Sequence, residues 1–213
     1  MDEIILPVAL DNAIKLAEVV SFDIFDTALI RATEKPVDVF ILLAHEVGIL
    51  QPQYFALARI QAEATARRLA WENQQAVEVT LPEIYACLVN LPQFSDVPVA
   101  ELMQQERALE LRLCQRHPIV GKAFDRAIQL NKKVGFISDM YLDLQLIEEM
   151  LNKCGYKRHD FLLVSSDIGT TKASGGMYRL VLDLLKSGSV TAARNATGRS
   201  PIWRARPSAA RVR

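Results

Sequence analysis

Apolar and polar positions follow two rhythms along this chain. One is a short apolar run that stops at small polar or acidic residues, and it occurs three times. Val19-Val20-Ser21-Phe22 leads into Asp23, Asp26 and Thr27. Val134-Gly135-Phe136-Ile137 leads into Ser138 and Asp139. Phe161-Leu162-Leu163-Val164 leads into Ser165 and then a polar, glycine-bearing loop that carries Lys172. Runs of this length, bounded by polar residues, predict buried strands of a sheet covered on both faces.

The other rhythm is helical. Residues 9–18 predict a short amphipathic helix ahead of the first strand, and Val120 to Leu130 predict another ahead of the second. Leu144 to Leu151 follow the second strand at helical spacing, with Gly155 placed to stop that helix. Met177 to Lys186 predict a helix after the third strand. Strands alternating with helices predict an α/β fold, a Rossmann-like parallel sheet flanked by helices.

Between Pro36 and His117 the texture changes. This stretch is rich in Leu, Ala, Glu, Gln and Arg. Val37, Phe40, Ile41 and Ala44 repeat at helical spacing, and Tyr54 to Trp71 and Val99 to Arg116 form longer helical patterns. Thr80-Leu81-Pro82-Glu83 reads as a helix start, with Thr80 as N-cap, Pro82 in the first turn and Glu83 completing a capping box. The expected organisation is an α/β core from residues 1–34 and 118–186, an all-helical insert over 35–117, and a separate tail over 187–213.

Acids at strand ends carry the candidate chemistry. Open α/β sheets place ligands at the carboxyl ends of their strands. A carboxylate there, such as Asp23, can attack an electrophile or hold a metal ion. Taken singly, each segment also has a plainer reading. Asp23 and Asp26 suit a turn that closes a strand. Ser138 and Asp139 suit a helix N-cap, whose free amides would hold an anion beside the Ser138 hydroxyl. Lys172 suits a solvated surface charge. Their occurrence in one order, at the tips of three successive strands, favours the functional reading.

The wordings SFDIFDT, FISDMYL and VSSDIGTTKASG together resemble motifs I, II and III of the haloacid-dehalogenase-like (HAD) hydrolase superfamily. In detail they resemble a bacterial subgroup associated with polysaccharide glycosyltransferases. The likeness spans Val19 to Leu185. It implies a HAD core with an all-helical, type C1 cap inserted after the first strand, closing over the site. The family's Thr lies four residues after the nucleophile, so Thr27 sets the register and Asp23 is the implied nucleophile, forming an aspartyl-phosphate. Ser138 is implied to bind the transferring phosphoryl group, and Lys172 to stabilise charge on it and on Asp23. Mg²⁺ is implied on Asp23 and the backbone carbonyl of Phe25, with Asp139 or Asp167 as a further acid. Thr27, Arg31 and Asp139 are the implied substrate contacts. Arg59, Arg67, Arg68 and Arg107 of the insert either meet an anionic substrate or pair with glutamates on helix faces. The implied substrate is a small phosphorylated metabolite, with a sugar phosphate suggested by the subgroup.

Two departures from the family pattern keep other readings open. Phe25 stands where most HAD phosphatases carry an acid–base Asp, and Phe cannot transfer a proton. Dehalogenase members also lack that Asp, so metal-independent carbon–halogen hydrolysis on Asp23 stays open. The family's fourth strand, with its metal-binding acid, is not evident after Lys186. A non-catalytic or truncated HAD-fold binding module is therefore the remaining alternative.

The chain carries 25 basic and 25 acidic residues, but unevenly. From Leu184 to Arg213 there is no Asp or Glu, and residues 187–213 hold six arginines among Ala, Ser, Thr, Gly and Pro. Without them, 19 basic face 25 acidic residues, a body near −6. The tail is open to three readings: a disordered extension, a phosphate-binding arm, or a shifted reading frame.

Half of all residues are apolar, which excludes a disordered protein. No apolar run is long enough to span a bilayer, and the acidic start Met1-Asp2-Glu3 lacks the basic region of a secretory signal. Cys87, Cys114 and Cys154 are widely spaced and odd in number, which suits thiols in a reducing cytoplasm. His45, His117 and His159 share no metal-ligand spacing. The expectation is a cytoplasmic protein that binds neither nucleic acid nor membrane.

Overall fold

The computed structural model describes residues 5–75, 78–95 and 97–187. The expected tail over 187–213 lies, but for Ser187, outside the described residues. Helix α1 (Val8–Leu16) leads into β1 (Val19–Asp23). Strands β4 (Lys133–Ser138) and β5 (Phe161–Val164) join β1 in a parallel sheet of order β1-β4-β5. Each of these three strands follows one of the predicted apolar runs.

Strand β4 is central and, past Lys133, buried throughout, because helices cover both faces. On one face Phe22 and Phe136 pack against Phe124 of α6 (Pro118–Gln129), and Phe136 meets the Tyr156 ring edge-on. On the other, Ile137 and Leu163 meet Met177 and Val181 of α9 (Gly176–Ser187). Gly135 permits this packing: a Cβ there would fall 2.4 Å from the Phe161 ring.

Helix α7 (Leu144–Lys153) connects β4 to β5 and ends at Gly155, which takes φ +83° as the predicted stop requires. Its cap corrects the sequence expectation. Ser138 and Asp139 do not cap it. The chain first turns through residues 139–143, and the Asp143 carboxylate accepts the Leu146 N–H at 3.0 Å. Asp143 is an N-cap acid in the preferred class, and it outcompetes the earlier pair by leaving room for that turn. The short helix α8 (Ser165–Ile168) follows β5 directly.

The predicted insert is helical: α2 (Asp38–Glu46), α3 (Pro52–Gln74), α4 (Leu81–Val89) and α5 (Val99–Leu113). Helix α4 starts as expected, with the Thr80 N–H donating to the Glu83 carboxylate at 2.7 Å. Helix α5 ends earlier than its periodicity predicts. Cys114–Arg116 leave it as strand β3, which pairs antiparallel with β2 (Leu29–Arg31). This ribbon closes the insert at its base. Its strands are three residues each, too short for a period-2 pattern to show in sequence.

The insert is centred on an ion pair. The Arg59 guanidinium and the Glu106 carboxylate are both fully buried and share two hydrogen bonds of 2.8 and 3.1 Å. Tyr85 and Tyr141 donate their hydroxyls to Glu106 at 2.7 and 3.3 Å. The Arg59 guanidinium also lies over the rings of Phe40 and Tyr141. A buried charge tolerates such a site only when its hydrogen-bonding capacity is met this fully. The other arginines of the insert are likewise paired: Arg67 with Glu63 and Glu78, Arg68 with Glu72, Arg107 with Asp143.

One polar chain fastens insert to core. The Ser165 hydroxyl donates to Glu78 at 2.6 Å and accepts the Met140 N–H at 2.8 Å. Beside it, the Leu81 N–H donates to the Tyr141 carbonyl at 3.2 Å. The three cysteines form no disulfide, and the Cys154 thiol donates to the Cys114 sulfur at 3.7 Å in the interior.

Candidate active site

Parallel pairing brings two of the predicted residues to one sheet edge. Asp23, the last residue of β1, pairs with Ile137 of β4, and Ser138 is the next residue along β4. Ser138 is 1% exposed. The loop after β5 then returns to the same edge. Lys172 Nζ donates to Asp23 Oδ1 at 2.7 Å. Its backbone N–H donates to the Asp139 carboxylate, at 2.9 and 3.2 Å to the two oxygens. Asp139 thereby holds the loop in the position that lets Lys172 reach Asp23.

The turn after β1 completes the site. The Ala28 N–H donates to the Asp23 carbonyl and the Leu29 N–H to the Ile24 carbonyl, folding residues 24–28 back sharply. Asp26 sits at its apex with φ +55°, a left-handed conformation that Asp adopts more readily than most residues. Thr27 Oγ1 donates to Asp23 Oδ2 at 3.4 Å. One carboxylate oxygen of Asp23 is thus held by Lys172 and the other by Thr27.

Arg31 lies just beyond, in β2. It clamps Glu110 of α5 through two hydrogen bonds of 2.9 and 3.0 Å, and its guanidinium lies 4.8 Å over the Phe25 ring. Burial pushes the Glu110 carboxyl up, against the pull of Arg31. Burial works against the Arg31 charge, but Glu110, with Tyr141 and Asp26, holds the guanidinium above its ordinary value. Arg31, the expected substrate contact, is thus committed to a carboxylate of the insert.

A cleft of about 450 Å³ opens beside this turn, between core and insert. Phe25, Asp26, Arg31, Met140 and Tyr141 line it from the core side, Phe40, Ile60 and Arg67 from the insert. Met140, Tyr141, Ile60 and Glu110 were not singled out by the sequence. They are apolar or helix-face residues whose meeting depends on how the insert seats, and no local pattern marks that.

The oxygens expected of a metal site are the Asp23 carboxylate, the Phe25 carbonyl and the Asp139 carboxylate. They are hard oxygens, the donors Mg²⁺ takes, and one or two carboxylates completed by a substrate phosphate suffice for it. Among the described residues, no group of three or more His, Cys, Asp or Glu is placed to hold a metal. Asp167 lies in α8.

No protein-family model matches the sequence, and neither does any curated protein. Solved structures do match. An L-2-haloacid dehalogenase from Xanthobacter autotrophicus superposes with a TM-score of 0.56 at 15% identity, over 84% of this chain and 67% of that one. A second L-2-haloacid dehalogenase gives 0.53 at 13% identity, over 79% and 72%. A third dehalogenase gives 0.52 at 15%, over 78% and 70%. The chain has the haloacid-dehalogenase-like fold. Within that HAD fold, Asp23, Ser138 and Lys172 occupy the tips of successive strands and the loop after them, the order in which motifs I, II and III were expected. Among the described residues no helix is long and apolar enough to cross a membrane.

Proposed function

We propose that this protein is a Mg²⁺-dependent phosphoester hydrolase, acting on a small phosphorylated metabolite through an aspartyl-phosphate on Asp23. The observation that carries the reading is the 2.7 Å contact between Lys172 and Asp23, made by residues 149 positions apart at the carboxyl edge of a parallel sheet. A surface lysine has no reason to return to a strand tip already crowded with polar groups. A lysine that must neutralise a nucleophilic carboxylate and an incoming phosphoryl group does.

An Asp23 oxygen attacks phosphorus, and the bond to the alcohol oxygen breaks. The departing alkoxide takes its proton from solvent water; a second water then attacks the phosphorus of the aspartyl-phosphate, gives its proton to solvent and returns Asp23 to a free carboxylate. Lys172 offsets negative charge throughout, and Thr27 fixes the carboxylate's orientation. The Ser138 hydroxyl is the donor for a phosphoryl oxygen. Asp23, the Phe25 carbonyl and Asp139 would hold Mg²⁺, which when bound shields two anions that otherwise repel. Phe25 moves no proton. The unbonded cysteines suit a cytoplasmic setting.

A second reading has its own support. The solved neighbours are named as dehalogenases, and Phe25 replaces the usual proton-transferring acid. Asp23 would then displace halide from carbon without a metal.

One assay separates these readings: phosphate release from a generic ester, with Mg²⁺ or with EDTA, by the wild type and by Asp23→Asn. Mg²⁺-stimulated release that disappears in Asp23→Asn is expected. Equal release by both proteins removes Asp23 from the mechanism. Halide release from a 2-haloacid that persists in EDTA, without phosphate release, selects the second reading. Inactivity in both assays with tight phosphate binding selects a binding module.

A further inference from the structure

We infer that the substrate is a phosphate monoester whose alcohol half is neutral and apolar, the size of an aromatic ring or a branched alkyl group, in place of the polyhydroxylated sugar expected from the subgroup. This inference rests on the phosphoester reading of Asp23 and names what occupies the cleft beside it.

The cleft adjoins the turn that follows Asp23, since Phe25 and Asp26 both line it. Phe25 and Met140, two of its lining residues, stand two positions after Asp23 and Ser138 on the same two loops. A phosphoryl group seated at Asp23 would have this space as the nearest room for its alcohol half. Its volume of about 450 Å³ is that of a small-ligand pocket.

Its walls are chiefly apolar: Phe25, Val37, Phe40, Ile60, Met140 and Tyr141. The Tyr141 hydroxyl is bound to the fully buried Glu106, so this tyrosine offers its ring. The two arginines of the cleft are already engaged, Arg31 by Glu110 and Arg67 by Glu63 and Glu78. A sugar entering here would exchange water for walls with little hydrogen-bonding capacity to spare, and each unmatched hydroxyl costs affinity. An apolar group gains by the same exchange. A second anionic group is also disfavoured. The Asp26 side chain is 70% exposed and lines the cleft, where it would repel one.

The test uses the full chain with Mg²⁺ and two primary alkyl phosphates, 2-phenylethyl phosphate and glucose 6-phosphate, with acetyl phosphate as a small reference. We expect kcat/KM to favour 2-phenylethyl phosphate over glucose 6-phosphate by at least about tenfold, the scale of discrimination an apolar pocket supplies. Ile60→Asn should cut kcat/KM for 2-phenylethyl phosphate several-fold more than for acetyl phosphate. A binding readout does not depend on turnover: calorimetric titration of the Asp23→Asn protein with 2-phenylethylphosphonate and with methylphosphonate. The larger phosphonate should bind about tenfold or more tightly. Glucose 6-phosphate used as well as or better than 2-phenylethyl phosphate, with release still dependent on Asp23, overturns the apolar assignment and leaves the phosphoester reading intact. Equal affinity for the two phosphonates overturns it whether or not turnover is seen. Release that does not depend on Asp23 overturns both.

Discussion

The ammonium of Lys172 lies 2.7 Å from one oxygen of Asp23, while the backbone N–H of the same lysine is held by Asp139. One residue thus joins two acid-tipped strands, and the pair is open to solvent, the Lys172 side chain 26% and the Asp23 side chain 42% exposed. This arrangement separates chemistry from stability. An ion pair this open contributes at most about 1 kcal/mol to folding. Opposing charge in the transition state can be worth far more. Lys172→Met should lower turnover by roughly 10²- to 10³-fold while shifting stability by less than about 1 kcal/mol. Steady-state kinetics alongside urea unfolding checks this. A large loss of stability with turnover preserved would assign Lys172 a structural role.

The insert should behave in the opposite way. Arg59 and Glu106 are fully buried, and each satisfies the other. Arg59→Met strands the Glu106 carboxylate with only two tyrosine hydroxyls, and should cost about 3–5 kcal/mol. Glu106→Gln should cost a similar amount, and the double variant less than the sum of the two. Chemical denaturation of all four proteins measures the coupling.

Ser165 is the joint between insert and core. Ser165→Ala removes the partner of the Met140 N–H and one of the partners of the Glu78 carboxylate. The expected cost is about 1–3 kcal/mol. Because Met140 lines the cleft, KM should rise as well. Hydrogen exchange at Met140 and Tyr141, faster in the variant than in the wild type, would show the joint loosening. Unchanged exchange there would deny it.

Alkaline pH should unfold the protein through its buried phenols. Burial pushes the Tyr156 phenol up to about 12, against the opposing effect of Arg116. Burial, and then Glu106, also raises Tyr141. A phenol raised in the folded state is protonated there when the unfolded chain has already lost its proton. The stabilisation is complete below the ordinary phenol range near pH ~10 and is lost as pH rises toward 12. Melting temperature should therefore fall through that window. Tyr156→Phe should be less stable at neutral pH, since it loses the 2.8 Å hydrogen bond to the Ala28 carbonyl. Its melting temperature should nevertheless fall less steeply above pH ~10.

Much of the sheet was legible in the sequence because each strand is a compact apolar run with a polar stop. Val134 to Ile137 could hardly read otherwise. The capping box at Thr80 and Glu83 and the stop at Gly155 were legible for the same reason: the signal is local and its chemistry specific. The ribbon of β2 and β3 was hidden, because Cys114-Gln115-Arg116 continues the periodicity of α5 and only pairing with Leu29–Arg31 makes it extended. The start of α7 at Leu144 was legible, but its cap was not: Asp143 takes the place that Ser138 and Asp139 suited, because a turn separates them from the helix. At the site, Asp23, Ser138 and Lys172 were found through their order along the chain. The cleft was not. Its walls come from elements far apart in sequence, and Arg31 and Glu110 find each other across 79 residues.

The covalent intermediate is where this account is most exposed. Acid-quenched wild-type protein, taken during turnover of acetyl phosphate with Mg²⁺ and mapped by peptide mass spectrometry, should carry phosphate on the carboxylate of Asp23. Asp23→Asn should carry none. Phosphate release with no modification at Asp23, or with modification at another residue, would contradict the account at its centre.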